Sequence, residues 1–538
     1  MAGSDGATPQ RAYRAACPNC GAPVEFASAA SASAVCSFCR STLLRDGDAL
    51  RRIGVSAELF EDHSPLQLGA TGRRQGVTFT LIGRLQYAYE GGTWNEWHAL
   101  FDNGRSAWLS EDNGAYVIAF DAPLPADAPA ITTLRAGQRC RADGRLWDVA
   151  SVVRARLLAA QGELPSAPRL EGEFTVVDLR NTEGEVGTLD DSDPQQIHWS
   201  TGRSVALSEL ALQGLRETSE KTLASRAIEC PSCGAALAPK LATTQTLSCE
   251  QCRAVVDISS GAGADLAHYA QNNSGAGGLE PQIPLGRTGR MALGSSEPLP
   301  WTVVGYLERC DLPEPGSDDE QVFWREYLLF HQREGFAFLV DSEDGWSWMK
   351  PLTGAPELRR NEAFWKGRSY RRKYAYAAAV TWVQGEFYWR VQRDERAQVM
   401  DFVASGGGTP RLLAREQTGS EITWSGGDPL TAAEVADAFA ISPAQRAALQ
   451  RDATAVSSAS TFSDLGQKWE KLKTVFIIAF VIIWVIVVLT DCSDDRCDDE
   501  RRSFGADSAE YKQCLSRGGG GRTSGGSFGG YSSGGGHK

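Results

Sequence analysis

Eight cysteines pose the first chemical question. The stretch "CPNCGAPVEFASAASASAVCSFC" places Cys17, Cys20, Cys36 and Cys39 as two C-x2-C pairs with fifteen residues between them. "CPSCGAALAPKLATTQTLSCEQC" repeats the spacing with Cys230, Cys233, Cys249 and Cys252. A C-x2-C pair on a tight turn aims both sulfurs at one point, and two such pairs make the four-thiolate template of a zinc ribbon. Gly21 and Gly234 follow the second cysteine of each first pair, where such a turn needs positive φ. Four thiolates complete a tetrahedral Zn2+ shell and leave no position for water, so the expected role is structural: two Zn2+ ions, each folding a segment too small to fold alone. Disulfides are the competing use of these residues. The opening "MAGSDGATPQRAYRAA" lacks a signal-peptide core, which implies a reducing compartment and favours metal. A thioredoxin-type redox pair would need a βαβ setting, which the pattern does not offer.

Three further stretches could carry chemistry. In "WNEWHALF" (94–101), Glu96, Trp97 and His98 have a partial echo in Glu326 and Tyr327 of "WREYLLF" (324–330), where Leu328 replaces the histidine. On a strand Glu96 and His98 share one face and Trp97 takes the other. A Glu/His pair is an acid–base candidate; a ligand or partner surface formed by Glu96, Trp97, His98, Glu326 and Tyr327 asks less of the missing histidine. "KGRSYRRKYAY" (366–376) interleaves basic residues with three tyrosines, the composition of a single-strand binder, of a surface for anionic lipid or of a solvated strand face. The acidic run around Asp491–Glu500 lacks the alternation and central glycine of a calcium loop. Cys497 and Cys514 beyond it are candidates for a disulfide if exposed to oxidant.

The elements that must position these residues read as β. With 538 residues the chain is too long for one core, and it repeats itself. "LGATGRR" (68–74) matches "LGRTGRM" (285–291), "FTLIGRL" (79–85) matches "WTVVGYL" (301–307), "AWLSEDNG" (107–114) matches "AFLVDSEDG" (337–345), and "IHWSTG" (197–202) matches "ITWSGG" (422–427). Short alternating runs such as "VTFTLIGRLQYAY", "GAYVIAF", "RLWDVASVV", "WSWMKPL" and "FYWRVQ", separated by turn residues, predict small barrels or sandwiches. Helix is expected only late, at "TAAEVADAF", with Thr431 and Glu434 at capping-box spacing, and at "SPAQRAALQ", with Ser442 as cap and Pro443 at the first helical position.

Residues 472–490 are apolar enough for one membrane span, preceded by Lys468, Lys471 and Lys473 and followed by acids. The positive-inside rule then puts the N-terminal bulk in the cytoplasm and the tail outside. The net charge of −13 argues against a general nucleic-acid binder, and neither ribbon carries a basic patch.

The expected fold class is mainly β, a tandem duplication of zinc ribbon plus small β-barrel or sandwich. Its parts are an N-terminal ribbon (1–60), first β domain (61–225), second ribbon (226–260), linker (261–284), second β domain (285–440), helix and linker (441–471), transmembrane helix (472–490), and an acidic then Gly/Ser-rich disordered tail (491–538).

The order of a CPxCG ribbon, then "TGR" and "FTLIGRLQYAY", then "WNEWHALF" and "AWLSEDNGAY", resembles the bacterial zinc-ribbon family called domain of unknown function 4178, in tandem copies. The second copy departs at the "EWH" motif. The resemblance implies a link to envelope or polyamine-related operons and supplies no catalytic residue. The expectation is a non-enzymatic scaffold or sensor at the cytoplasmic face of the inner membrane, binding a protein or small ligand. The alternatives are an accessory or cryptic enzyme using Glu96 and His98, and nucleic-acid binding through the ribbons and 366–376.

Overall fold

The alternating run from Val77 forms one 13-residue strand, and the same pattern recurs around two closed rings. In this computed structural model the described residues run from 13 to 450, apart from 27–30, 47–48, 56–63, 90–91, 113–114, 217–227, 242–243, 259–265, 267, 272–280, 314–320, 333, 392–395, 407 and 409. The predicted span 472–490, the acidic run and Cys497 and Cys514 lie outside them. Among the described residues no helix is long and apolar enough to cross a membrane.

The first ring comprises β1 (Val77–Tyr89), β2 (Gly92–Phe101), β3 (Ser106–Asp112), β4 (Ala115–Ala122), β5 (Arg145–Leu164), β6 (Phe174–Arg180), β7 (Glu185–Asp193) and β8 (Gln196–Ser204). Two four-strand meanders pair at both edges, β1 with β5 and β4 with β8, giving an antiparallel eight-stranded barrel. The second ring repeats this plan with β9 (Leu299–Leu312), β10 (Phe323–His331), β11 (Gly335–Ser342), β12 (Gly345–Leu352), β13 (Arg368–Phe387), β14 (Arg396–Ala404), β15 (Leu412–Thr418) and β16 (Glu421–Leu430). It closes through β9–β13 and β12–β16. The expected mainly-β tandem is therefore two barrels of one topology.

Side chains fill barrels of this size. In the second, Leu307, Trp324, Leu328, Phe338, Val340, Tyr376, Val399 and Ala414 form the interior. The alternate positions Trp301, Tyr306, Tyr327, Leu339, Trp346 and Trp348 face outward, where α1 (Ala432–Ala438) and α2 (Pro443–Leu449) cover them with Val435, Phe439 and Leu449. The capping box is formed: Glu434 N donates to Thr431 Oγ1 at 3.1 Å, and Thr431 N donates to the Glu434 carboxylate at 2.7 Å. In the first barrel Leu66, Ala70 and Leu210, from segments before and after the ring, cover the outward face.

Two strand expectations need correction. β5 and β13 are each 20 residues long, about twice the predicted length, because the first half pairs with the next strand of its own meander, the second half closes the ring, and the last two or three residues run on to pair with the ribbon. "FYWRVQ" is not a strand: β13 ends at Phe387, and Tyr388 and Trp389 are buried beyond it as packing residues.

Candidate metal centres

Each ribbon is a pair of knuckles with one geometry. The amide after the second cysteine donates back to the carbonyl of the first: Gly21 to Cys17, Arg40 to Cys36, Gly234 to Cys230 and Arg253 to Cys249, at 2.8–2.9 Å. That closure requires positive φ, and Gly21 and Gly234 have φ of 74° as their sequence position predicts. Arg40 and Arg253 adopt the same region, with φ of 57° and 62°. The second knuckles therefore hold a strained non-glycine residue that the sequence did not flag.

The turns bring both quartets together. In each, the four Sγ atoms lie within 4.8 Å of one another. Cys17 and Cys39 are 3.6 Å apart, and Cys20–Cys36, Cys230–Cys252 and Cys233–Cys249 are each 3.7 Å apart. Tetrahedral Zn–S bonds of about 2.3 Å put sulfurs about 3.8 Å apart, whereas a disulfide needs about 2.0 Å. The donor set thus fits a closed tetrathiolate metal site. The last cysteine of each quartet is drawn toward its thiolate: the Ser41 hydroxyl and then the Asn19 side chain pull Cys39 down to about 5, and the Ala254 amide leads in pulling Cys252 down to about 6.

Barrel strands fix the ribbons in place. Ser33–Val35 pairs with Gly162–Leu164 at the end of β5, and Thr246–Leu247 pairs with Glu386–Phe387 at the end of β13. A carboxylate reinforces each ladder. Ser31 Oγ donates to Glu163 at 2.9 Å. Glu386 accepts from the amides of Lys240 and Leu241 at 2.9 Å and from Thr244 Oγ1 at 2.7 Å. Gln271 links the Arg253 carbonyl to both backbone groups of Val383 at 2.8 Å, tying the last knuckle to β13.

Next to each clamp a glycine pair lets two strands cross closely. Gly162 opposes Gly83, and Gly385 opposes Gly305. A Cβ at Gly162 would lie 2.2 Å from the Ile82 carbonyl, and one at Gly385 2.3 Å from that of Val304, with φ of 71° and 85°. The sequence reading missed these residues, although the tripeptide Gln-Gly-Glu recurs at 161–163 and 384–386.

Glu96 and His98 share a face as expected, but that face is the barrel interior rather than a solvated side. They are 6 % and 1 % exposed. His98 Nδ1 lies 2.9 Å from the Glu163 carbonyl, which makes it the donor; Nε2 accepts from Ser106 Oγ at 2.9 Å. Burial lowers the His98 pKa. Both ring nitrogens are therefore engaged within the protein. Trp94 Nε1 donates to Glu96 at 3.1 Å, and the equivalent Trp324 donates to Glu326 at 2.7 Å, so the shared element is Trp-x-Glu rather than Glu-x-His. Trp97 and Tyr327 point outward into the covered clusters.

The tyrosines of 366–376 do not form a stacking platform. Tyr370 is buried against Trp365 and Trp424, and Tyr376 lies in the barrel, donating to Asp401 at 2.9 Å. Arg368 donates to the carbonyls of Gly408 and Pro410, and Lys373 pairs with Asp344 at 2.6 Å.

Fold and site together define a class: tandem antiparallel barrels, each strapped to a small tetracysteine ribbon. The chain belongs to the family described as "Domain of unknown function (DUF4178)", whose model matches residues 67–207 and 294–432. Those two ranges are the two barrels; both ribbons lie outside them. Neither the curated proteins nor the solved structures gave a match.

Proposed function

We propose that the chain is a non-enzymatic scaffold or sensor whose two ribbons each hold one structural Zn2+. It is anchored by 472–490 in the inner membrane with its bulk in the cytoplasm, where it binds a protein or small-ligand partner in envelope homeostasis. The sulfur spacing carries the metal part of this reading. Four soft thiolates at tetrahedral separation suit Zn2+ and leave no coordination site for a substrate. Such a site contributes on the order of 10–16 kcal/mol to folding the segment it closes. The anchor rests on the apolar run and its lysines.

Metal analysis of the full chain purified in detergent tests the first part. Two Zn2+ per chain are expected, falling to one in the Cys230→Ser/Cys233→Ser variant; metal-free protein with folded ribbons would refute it. Labelling Cys492, Cys497 and Cys514 in intact cells with an impermeant thiol reagent after reduction tests the topology. Labelling only after permeabilisation would refute an outside tail.

A further inference from the structure

A cleft of about 590 Å³ lies between the barrels, lined by Gly137, Arg139 and Asp148 of the first and by Lys350, Arg415 and Trp424 of the second, among others. Most of its cations are taken up locally. Arg180 is held by Asp178 and the Thr353 carbonyl. Arg139 reaches Asp148 at 3.1 Å and Glu357 at 3.7 Å. Lys350 reaches Glu334 at 3.4 Å.

Arg415 differs. Among the described residues its guanidinium makes one hydrogen bond, a 3.3 Å donation from Nη2 to the Gln417 side chain, and no ion pair. Burial pulls its pKa down, and Asp148 offsets this only in part. Desolvating a cation without a close counterion is unfavourable, and the fold avoids it at the other cations of this wall. The surroundings are built for contact. Arg415 stands directly opposite Trp424 in the β15–β16 ladder, so guanidinium and indole share a face. From the first barrel Gly137 approaches so closely that a Cβ there would lie 3.5 Å from Arg415 Nη2.

We propose that this cleft binds a small organic monoanion, a carboxylate on a flat aromatic body, with the carboxylate on the Arg415 fork and the ring against Trp424. A guanidinium presents two parallel donors that match a carboxylate, and an indole face beside it suits a ring. The acids Asp148, Asp178, Glu334 and Glu421 also line the cleft and disfavour multiply charged ligands such as phosphate. The assignment rests on the chain being a binding module and names a ligand class for it.

Titration of the full chain in detergent with benzoate, benzyl alcohol and inorganic phosphate by calorimetry tests this. Benzoate is expected to bind at least about tenfold more tightly than the other two, the difference a charge-assisted bidentate pair supplies. Arg415→Gln should remove that preference while the protein melts no lower than wild type, because a half-buried charge with no close counterion has been taken away. Asp148→Asn should tighten benzoate binding. Equal binding of benzoate and benzyl alcohol, benzoate binding retained in Arg415→Gln, or marked destabilisation of that variant would each overturn the proposal. Zn2+ content measured on the same samples reports on the scaffold reading separately.

Discussion

At the scale of single residues, one carboxylate at the end of each long strand holds its ribbon. Glu386 gathers two amides and a hydroxyl from the second ribbon, and Glu163 accepts from the Ser31 hydroxyl of the first. Glu386→Ala should cost about 1–3 kcal/mol, since it strands buried donors. On the proposed zinc reading, chelator-driven metal release from the second ribbon should accelerate in this variant. His98 makes a pH-dependent contribution. Burial depresses its folded pKa below 6.5, so above pH 6.5 it is neutral in both states and stability is fully present. As pH falls through 6.5 the unfolded chain takes up a proton that the folded chain refuses, and stability drops at up to about 1.4 kcal/mol per pH unit until the folded pKa is reached. Urea unfolding between pH 7.5 and 5 should show this slope, flattened in His98→Gln. The two cysteine quartets were legible because a tetrathiolate metal template fixes both residue type and spacing. Arg415 was not, because its significance lies in which carboxylates fail to reach it, and only folding decides that.

At the scale of elements, the long strands deceived the eye. "RARLLAAQGEL" in β5 is rich in alanine, leucine and arginine, all good helix formers, yet pairing on both sides imposes a strand. Alternation and turn residues revealed ring strands β1, β4, β5 and β12 and both helix starts. They did not reveal that β5 and β13 serve a barrel and a ribbon at once, because the exit point is marked only by a glycine. Gly162→Ala and Gly385→Ala should each destabilise by more than about 2 kcal/mol, combining positive φ with a carbonyl clash that neither strand can relieve. Thermal unfolding checks this; Gly144→Ala, with nothing near its Cβ position, controls for φ alone.

At the scale of the whole molecule, two barrels of one plan hold different interiors. Arg309 opposes Trp324 in the second barrel and reaches Glu326 at 3.3 Å and Glu416 at 2.8 Å. In the first, Tyr87 opposes Trp94, with Glu96 and Asp190 at the matching places. Arg309→Met should cost about 3–5 kcal/mol by leaving two carboxylates without their shared cation. Tyr87→Phe should cost far less, and denaturant unfolding of the two variants compares the barrels directly.

The route from Glu386 back to Lys240 spans 146 residues, and from Glu163 back to Ser31 it spans 132. Each ribbon therefore leaves the ribosome well ahead of the strand that receives it. At 5–20 residues per second the wait is on the order of 10 s. Throughout it, the outer strand of the ribbon hairpin presents unpaired amides and carbonyls, a template for the wrong neighbour on the same polysome. Early capture of the ion would hold each hairpin in one shape while it waits, making metal supply during translation a determinant of yield as well as of final stability.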